Sequence, residues 1–521
     1  MPRINKLEVL LFRKVNGSDS NLYKIASMRK ILIFLCLISF NTTIFAQQLV
    51  LRGDHPDPSV VKIGDSYWAT ATTSNWFPAY PLLKSTDLVH WKSEGYVFNQ
   101  LPSWADFYFW APEISYDNGK VYIYYAAHKK GGNLCLGIAS ADKPEGPFTD
   151  HGPLMCQEAG SIDAFPMRDE NGKLYVIWKE DGNSVNKPTP IWAQQLNEQR
   201  TGFVGDKKAL FQNDKVWEGN LVEGVSMIKR GEYFYAFYAA AGCCGRECSY
   251  QTGVARSKEL LGPWEKYNNN PVLSHDDKWR CPGHGTPIEK DGKYYFLYHA
   301  YNKETNVYTG REGMLMEFGF TPDGWVKFIK DTSNTDVALT SMTDNFSGKK
   351  ISDNWQWSVF SQLDFKQKAG NIILGAQPSQ SGAFMGIKTT SGNYNAVVKL
   401  RTKRTNANAG IGLIGDEKNA VTELYKNGTI TIFQLKDGKE TVVNQKPISI
   451  KNNLYLRMQV ANGKDISFLF SLDGHKFSPL NSKPVDGGYL PPWDRALRIG
   501  LVAKGNSNQI ATFDKFELIN N

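Results

Sequence analysis

Four carboxylates and a histidine occupy the same place in a phrase that the chain repeats five times. Asp57, Glu113, Asp163, Glu223 and His284 open the segments 57–73 (DPSVVKIGDSYWATATT), 113–128 (EISYDNGKVYIYYAAH), 163–179 (DAFPMRDENGKLYVIWK), 223–239 (EGVSMIKRGEYFYAFYA) and 284–300 (HGTPIEKDGKYYFLYHA). Carboxylates brought together in one cleft are suited to proton transfer, one taking a proton and another giving it. A single acidic residue beside a turn is ordinarily a solvated surface group. Recurrence at one repeat position sets these residues apart, because equivalent positions of a closed repeat converge in space.

Each phrase is a charged residue, a short strand, a turn and an aromatic-rich strand. Gly64-Asp65, Asn118-Gly119, Asn171-Gly172, Arg230-Gly231 and Asp291-Gly292 stand at the turns, most of them hairpin pairs. A further strand and a surface turn follow, such as Ser85-Thr86-Asp87. Units of about 50–60 residues with several strands each are blades rather than turns of a helical solenoid. The expected fold is therefore all-β: a five-bladed β-propeller over 47–330, with the leading strand of each blade lining the axis. A polar connector is expected over 331–342. From 343 to 521 alternating strands, for example 454–460 (LYLRMQV), are separated by Asn427-Gly428, Asp437-Gly438 and Asp473-Gly474, which reads as a β-sandwich. With all the candidate carboxylates before residue 331, the sandwich is expected to be dispensable for chemistry.

Composition excludes several classes. Among 521 residues, 41% are hydrophobic and 21% charged, which is a globular balance. The 14 Trp and 24 Tyr favour a ligand with flat apolar faces, as sugars have. Five of the eight net positive charges lie in residues 1–46, and no basic stripe follows, so nucleic acid is not an expected partner. Met28-Arg29-Lys30 followed by the apolar run 31–40 (ILIFLCLISF) reads as an export signal ending at Ala46, with residues 1–27 an upstream extension. That run is too short for a comfortable membrane span. The mature chain is expected in the periplasm or outside the cell, where disulfides form. Cys243, Cys244 and Cys248 lack the spacing and histidines of a zinc site and are expected to form a disulfide within 243–248, pairing left open.

The phrases His55-Pro56-Asp57-Pro58-Ser59-Val60, Trp110-Ala111-Pro112-Glu113, Ser161-Ile162-Asp163-Ala164, Val222-Glu223-Gly224 and Gly283-His284-Gly285 stand in an order that resembles glycoside hydrolase family 43. This family comprises inverting β-xylosidases, α-L-arabinofuranosidases and arabinanases. The resemblance covers 54–330, and 341–521 is similar to the concanavalin-like sandwich that often follows. Ala164 and Val225 stand where the family commonly has proline.

The resemblance implies that Asp57 is the general base, Glu223 the general acid, and Asp163 the residue that orients the acid and raises its pKa. Inverting glycosidases use such a pair with room for water between base and sugar. Glu218, five residues earlier, is the rival for the acid. Trp76 and Trp110 are candidate walls of the sugar pocket, and Arg311 a candidate sugar ligand. His284 matches a histidine at the floor of the funnel, beside which the family often holds a metal ion or ordered water. No cofactor is expected for the chemistry, though a structural calcium or other ion in the axis is compatible with the resemblance. The implied substrate is an arabinose- or xylose-containing polysaccharide or oligosaccharide, cut from its end. The alternative is a catalytically silent carbohydrate-binding propeller, and loss of a carboxylate would favour it.

Overall fold

A computed structural model describes residues 47–329 and 335–521. The expected export signal lies outside the described residues. Among those residues there is no α-helix, only strands, turns and four short 3₁₀ segments.

The first part forms antiparallel sheets in chain order. Ser59–Ile63, Ser66–Thr70, Ala79–Ser85 and Lys92–Phe98 make the first, and Ala105–Asp117, Lys120–Lys129, Leu134–Ala141 and Thr149–Cys156 the second. Ser161–Arg168 leads the third, Val222–Arg230 the fourth and Trp279–Lys290 the fifth. The fifth sheet takes in Gln48–Leu51 from the start of the domain, paired to Arg311–Phe320. The leading strands neighbour one another in order, and Trp279–Lys290 neighbours Ser59–Ile63.

The second strands, such as Tyr233–Ala240 (YFYAFYAA), are buried almost throughout because they are covered on both faces. Their rings interlock between sheets, as where Phe237 stacks on Phe296 at 4.9 Å. Each leading strand after the first breaks register near its candidate residue: between Trp110 and Glu113, Ile162 and Phe165, Glu223 and Ser226, and Gly283 and Gly285. A bulge adds a residue against its partner strand and re-aims the side chains there. Asp57, Asp163 and His284 have φ of 50°, 59° and 41°, so the backbone turns sharply where each is presented.

The second part is two facing sheets. One has six strands and is built around Arg498–Lys504 and Asn408–Asp416; the other has nine and is built around Tyr394–Arg401 and Ile510–Asn520. Leu454, Leu456, Met458 and Val460 alternate into the core with Phe513 and Phe516, as the period-two pattern requires.

The two parts are joined closely. Trp357–Ser358 pairs with Trp76–Phe77 as a two-stranded bridge. Val337 N donates to Leu49 O at 3.0 Å, and Leu49 N to Asp336 Oδ1 at 2.8 Å, so this part of the connector is fastened to the first part. Asp54 accepts from Ala496 N at 3.1 Å and lies 3.4 Å from the buried Arg498 guanidinium.

Candidate active site

A cavity of about 390 Å³ gathers Asp57, Asp163, Glu223, His284, Arg311 and Trp110 on its walls. That volume lies within the usual range of small-ligand sites, about 300–1,000 Å³. Two of the sequence candidates are placed elsewhere. Trp76 is 2% exposed, packs on Phe384 of the sandwich and donates from Nε1 to Ala496 O at 3.2 Å. It seals the joint between the two parts, which corrects its reading as a pocket wall. Glu113 is buried against Thr286, whose hydroxyl donates to it at 3.1 Å, and burial pushes its carboxyl up to about 8. It is a neutral packing group at neutral pH and does not line the cavity.

Asp57 is closely held. Thr72 Oγ1 donates to Oδ2 at 2.7 Å and Arg311 Nη1 to Oδ1 at 3.0 Å, and His284 Nδ1 lies 3.4 Å from Oδ1. The Asp57 N–H donates to His299 Nδ1 at 3.0 Å. Burial works against the charge, but Arg311 and His284 outweigh it and hold the carboxyl well below its usual range. Asp57 is therefore ionised whenever the protein is folded near neutrality. His299, absent from the sequence reading, is pushed down to about 4, chiefly by burial, and is neutral.

On the facing wall, Tyr250 Oη donates to Glu223 Oε1 at 2.8 Å and Lys179 Nζ to Oε2 at 2.6 Å. Lys179 also donates to Asp181 at 2.9 Å. Asp163 Oδ2 accepts from Gly224 N at 2.8 Å, which ties it to the residue after Glu223. Gly224 has φ of +59°, and a Cβ there would lie 2.7 Å from His284 Cγ. Only glycine lets the strand carry Glu223 past the histidine ring.

The proton distribution differs from the expectation. Burial raises Asp163 to about 6, with His284 opposing and the Glu223 charge assisting. Burial also pushes Glu223 up, but Lys179 and the Tyr250 hydrogen bond more than reverse it, so Glu223 is lowered. Asp163 does repel a charge on Glu223. The expectation of a raised Glu223 failed because it took no account of Lys179, a cation on Leu174–Glu180 of the adjacent sheet. Of these two carboxyls, Asp163 is therefore the one that keeps a proton to the higher pH.

Glu218 is fully buried outside the cavity. Its oxygens accept from Lys266 Nζ, Tyr238 Oη and the backbone of Asp214 and Lys215, so it organises its own loop. His284 Nδ1 has Asp57 Oδ1 at 3.4 Å, and among the described residues no group of three or more His, Cys, Asp or Glu is placed to hold a metal ion. The donor set does not fit the metal reading of His284.

The sandwich contributes to the cavity. Trp493 and Asp494 line it, Arg311 Nη2 donates to Asp494 O at 2.9 Å, and Trp110 Nε1 donates to Asp494 Oδ2 at 3.3 Å. Trp110 stacks on Tyr108 at 4.4 Å and meets the edge of Trp493 at 5.8 Å, forming an aromatic wall. This revises the expectation that the sandwich is dispensable for chemistry. Lys179 was visible in the sequence as a lone cation closing an apolar strand (VIWK), a pattern that implies a buried partner. Nothing in the sequence marked Trp493 or Asp494.

Residues 46–326 match the family description "Glycosyl hydrolases family 43", and residues 343–518 match "Beta xylosidase C-terminal Concanavalin A-like domain". The chain belongs to glycosyl hydrolase family 43. Its relatives include a "Xylosidase/arabinosidase" of Butyrivibrio fibrisolvens, 29% identical over 54% of this chain and 56% of that protein. A "Xylan 1,3-beta-xylosidase" of Vibrio sp is 28% identical over 49% of each chain. The family 43 chain thus spans about half the length of these two relatives. It aligns with 98% of a "Non-reducing end alpha-L-arabinofuranosidase BoGH43B" of Bacteroides ovatus, at 25% identity over 94% of its own length. In fold it is similar to the BlXynB protein of Bacillus licheniformis, with a TM-score of 0.77 and 23% identity over 91% of this chain and 100% of that one. A xylan beta-1,4-xylosidase from Bacillus halodurans gives a TM-score of 0.75 at 20% identity, over 91% of this chain and 100% of that one. The family 43 chain thus carries its carboxylates on an all-β first domain followed by a concanavalin-like sandwich.

Proposed function

We propose that this protein is an exported exo-glycosidase that releases a terminal pentose, α-L-arabinofuranose or β-D-xylose, from plant cell-wall polysaccharide or oligosaccharide with inversion. The observation that carries the reading is the convergence of Asp57, Asp163 and Glu223 on one cavity with their charges differentiated. The sheets of the first part are read as five blades of a propeller, closed where Gln48–Leu51 joins the fifth sheet. Three disulfides, Cys135–Cys156, Cys243–Cys244 and Cys248–Cys281, favour an oxidising compartment. Among the described residues no helix is long and apolar enough to cross a membrane.

In the reaction, ionised Asp57 takes a proton from water as the water oxygen attacks the anomeric carbon. Arg311, fixed by Asp494 O, keeps the Asp57 carboxylate oriented. The bond to the leaving oxygen breaks as Glu223 delivers its proton there. Glu223 must be protonated first, and Asp163, which holds a proton up to about pH 6, is the adjacent reserve. The names of the relatives support a pentose substrate, and the name of the Bacteroides relative supports attack at the non-reducing end. The intact set of carboxylates weighs against a silent sugar-binding protein.

The test is hydrolysis of aryl α-L-arabinofuranoside beside aryl β-D-xyloside, read as a ratio of kcat/KM. NMR of the first-formed sugar should show the anomer opposite to that of the substrate. Turnover of neither glycoside, or release of the retained anomer, contradicts the proposal.

A further inference from the structure

Cys243 and Cys244 are joined to each other, and both line the catalytic cavity. A disulfide stabilises a chain chiefly by closing a loop in the unfolded state, and the effect grows with loop length. Between adjacent residues there is no intervening loop to close. The fold staple at this place is Cys248–Cys281, 33 residues apart, in the same apolar cluster. The adjacent pair is left with a local part to play: it turns two polar thiols into one rigid, polarisable surface that asks for no hydrogen bond.

The position of that surface indicates which part of a ligand meets it. The pair lies in the connection between Tyr233–Ala240 and Gln251–Ser257, in the sheet whose leading strand carries Glu223. Glu223 pairs across the sheet with Ala239, four residues before Cys243. Tyr250, which donates to Glu223 Oε1, ends the same connection, and Cys243 packs against the cluster that contains Tyr250. The disulfide therefore belongs to the acid's wall. The acid hands its proton to the glycosidic oxygen, and the departing sugar begins at that atom.

The connection is fixed on several sides. Ser249 N donates to Gly242 O at 2.8 Å, and Gly245 N to Tyr301 Oη at 3.1 Å. Arg246 bonds to Gly488 O of the sandwich and lies over the Tyr308 ring. Such a surface is held in place before any ligand arrives.

We infer that the Cys243–Cys244 disulfide is the platform for the sugar ring on the leaving side of the scissile bond, a subsite for a neutral glycosyl unit whose C–H face rests on the sulfurs. The inference rests on the pentosidase reading above. Its test compares kcat/KM for a pentosyl disaccharide with that for the matching pentosyl fluoride, whose leaving group carries no ring. In Cys243→Ala/Cys244→Ala, and in Cys243→Ser/Cys244→Ser, the disaccharide-to-fluoride ratio should fall about tenfold, carried mainly by KM, the scale of losing a small apolar contact. An unchanged ratio overturns the subsite alone. A wild-type protein that hydrolyses neither compound overturns the pentosidase reading and the subsite with it. Independently of how the variants fold, a crystal of the Asp57→Asn protein soaked with the disaccharide should place its leaving-side ring over both sulfurs, and a ring seated elsewhere refutes the assignment.

Discussion

Lys179 Nζ lies 2.6 Å from Glu223 Oε2, and the lysine side chain is 1% exposed. A cation this close lowers the Glu223 carboxyl, and if Glu223 is the acid, as proposed, its pKa is the outcome of a contest between Lys179 and Asp163.

That contest has opposite signs in two variants. The alkaline limb of kcat/KM follows loss of the acid's proton in the free enzyme. Lys179→Met removes the charge that lowers Glu223, so burial and Asp163 push the carboxyl up and the limb should move to higher pH by about one unit. Asp163→Asn removes the neighbouring carboxyl that holds a proton up to about pH 6, so the site loses its proton earlier and the limb should move to lower pH by a similar amount, about one unit. Limbs that move in the same direction would show that the pair does not set the acid's proton.

Asp57→Asn and Glu223→Gln should differ in how they depend on the leaving group. Without Asp57 no group activates water, and every substrate should slow by about 10²–10⁴ or more. Without the Glu223 proton, a dinitrophenyl group still departs unaided, so that substrate should keep far more activity than a natural oligosaccharide. Glu218→Gln should lower thermal stability, because it weakens the ion pair of the buried Glu218 carboxylate with Lys266, and should leave this leaving-group pattern intact. Selective rescue in Glu218→Gln would reassign the acid.

The sandwich should be needed for turnover. A soluble, folded fragment ending near Ser341 lacks Trp493 and Asp494, and with them the acceptor for Arg311 Nη2 and one face of the aromatic wall. Activity on a small aryl pentoside should fall by at least about tenfold. Full activity of that fragment would show that the sandwich lining is incidental.

Gly224→Ala should cripple the enzyme without touching a carboxylate. The new methyl would meet the His284 ring at 2.7 Å, and alanine resists the φ of +59°. Strain of about 1–3 kcal/mol should lower the melting temperature, and displaced Glu223 and His284 should reduce kcat more than they change KM. A variant with wild-type kcat would place Gly224 outside the constraint.

The sequence by itself determined the all-β class, the repeated phrase with its leading acidic residues and the change to a second all-β domain after residue 330. These are local properties: period-two alternation and Asn/Asp-Gly turns act over a few residues, so they are legible without a fold. It also made Asp57, Asp163 and Glu223 candidates, because equivalent repeat positions converge. Tertiary structure alone decided which positions reach the cavity. Glu113 shares the repeat position yet is closed off beside Thr286, and Trp76 faces the sandwich while Trp110 faces the site. Bulges re-aim these side chains, and where a bulge falls depends on the partner strand. The protonation of Glu223 was likewise set by a contact the repeat could not foresee, with a lysine 44 residues away. Arg311 and Asp494 lie 183 residues apart in the chain, and only the docking of one domain on the other makes them neighbours.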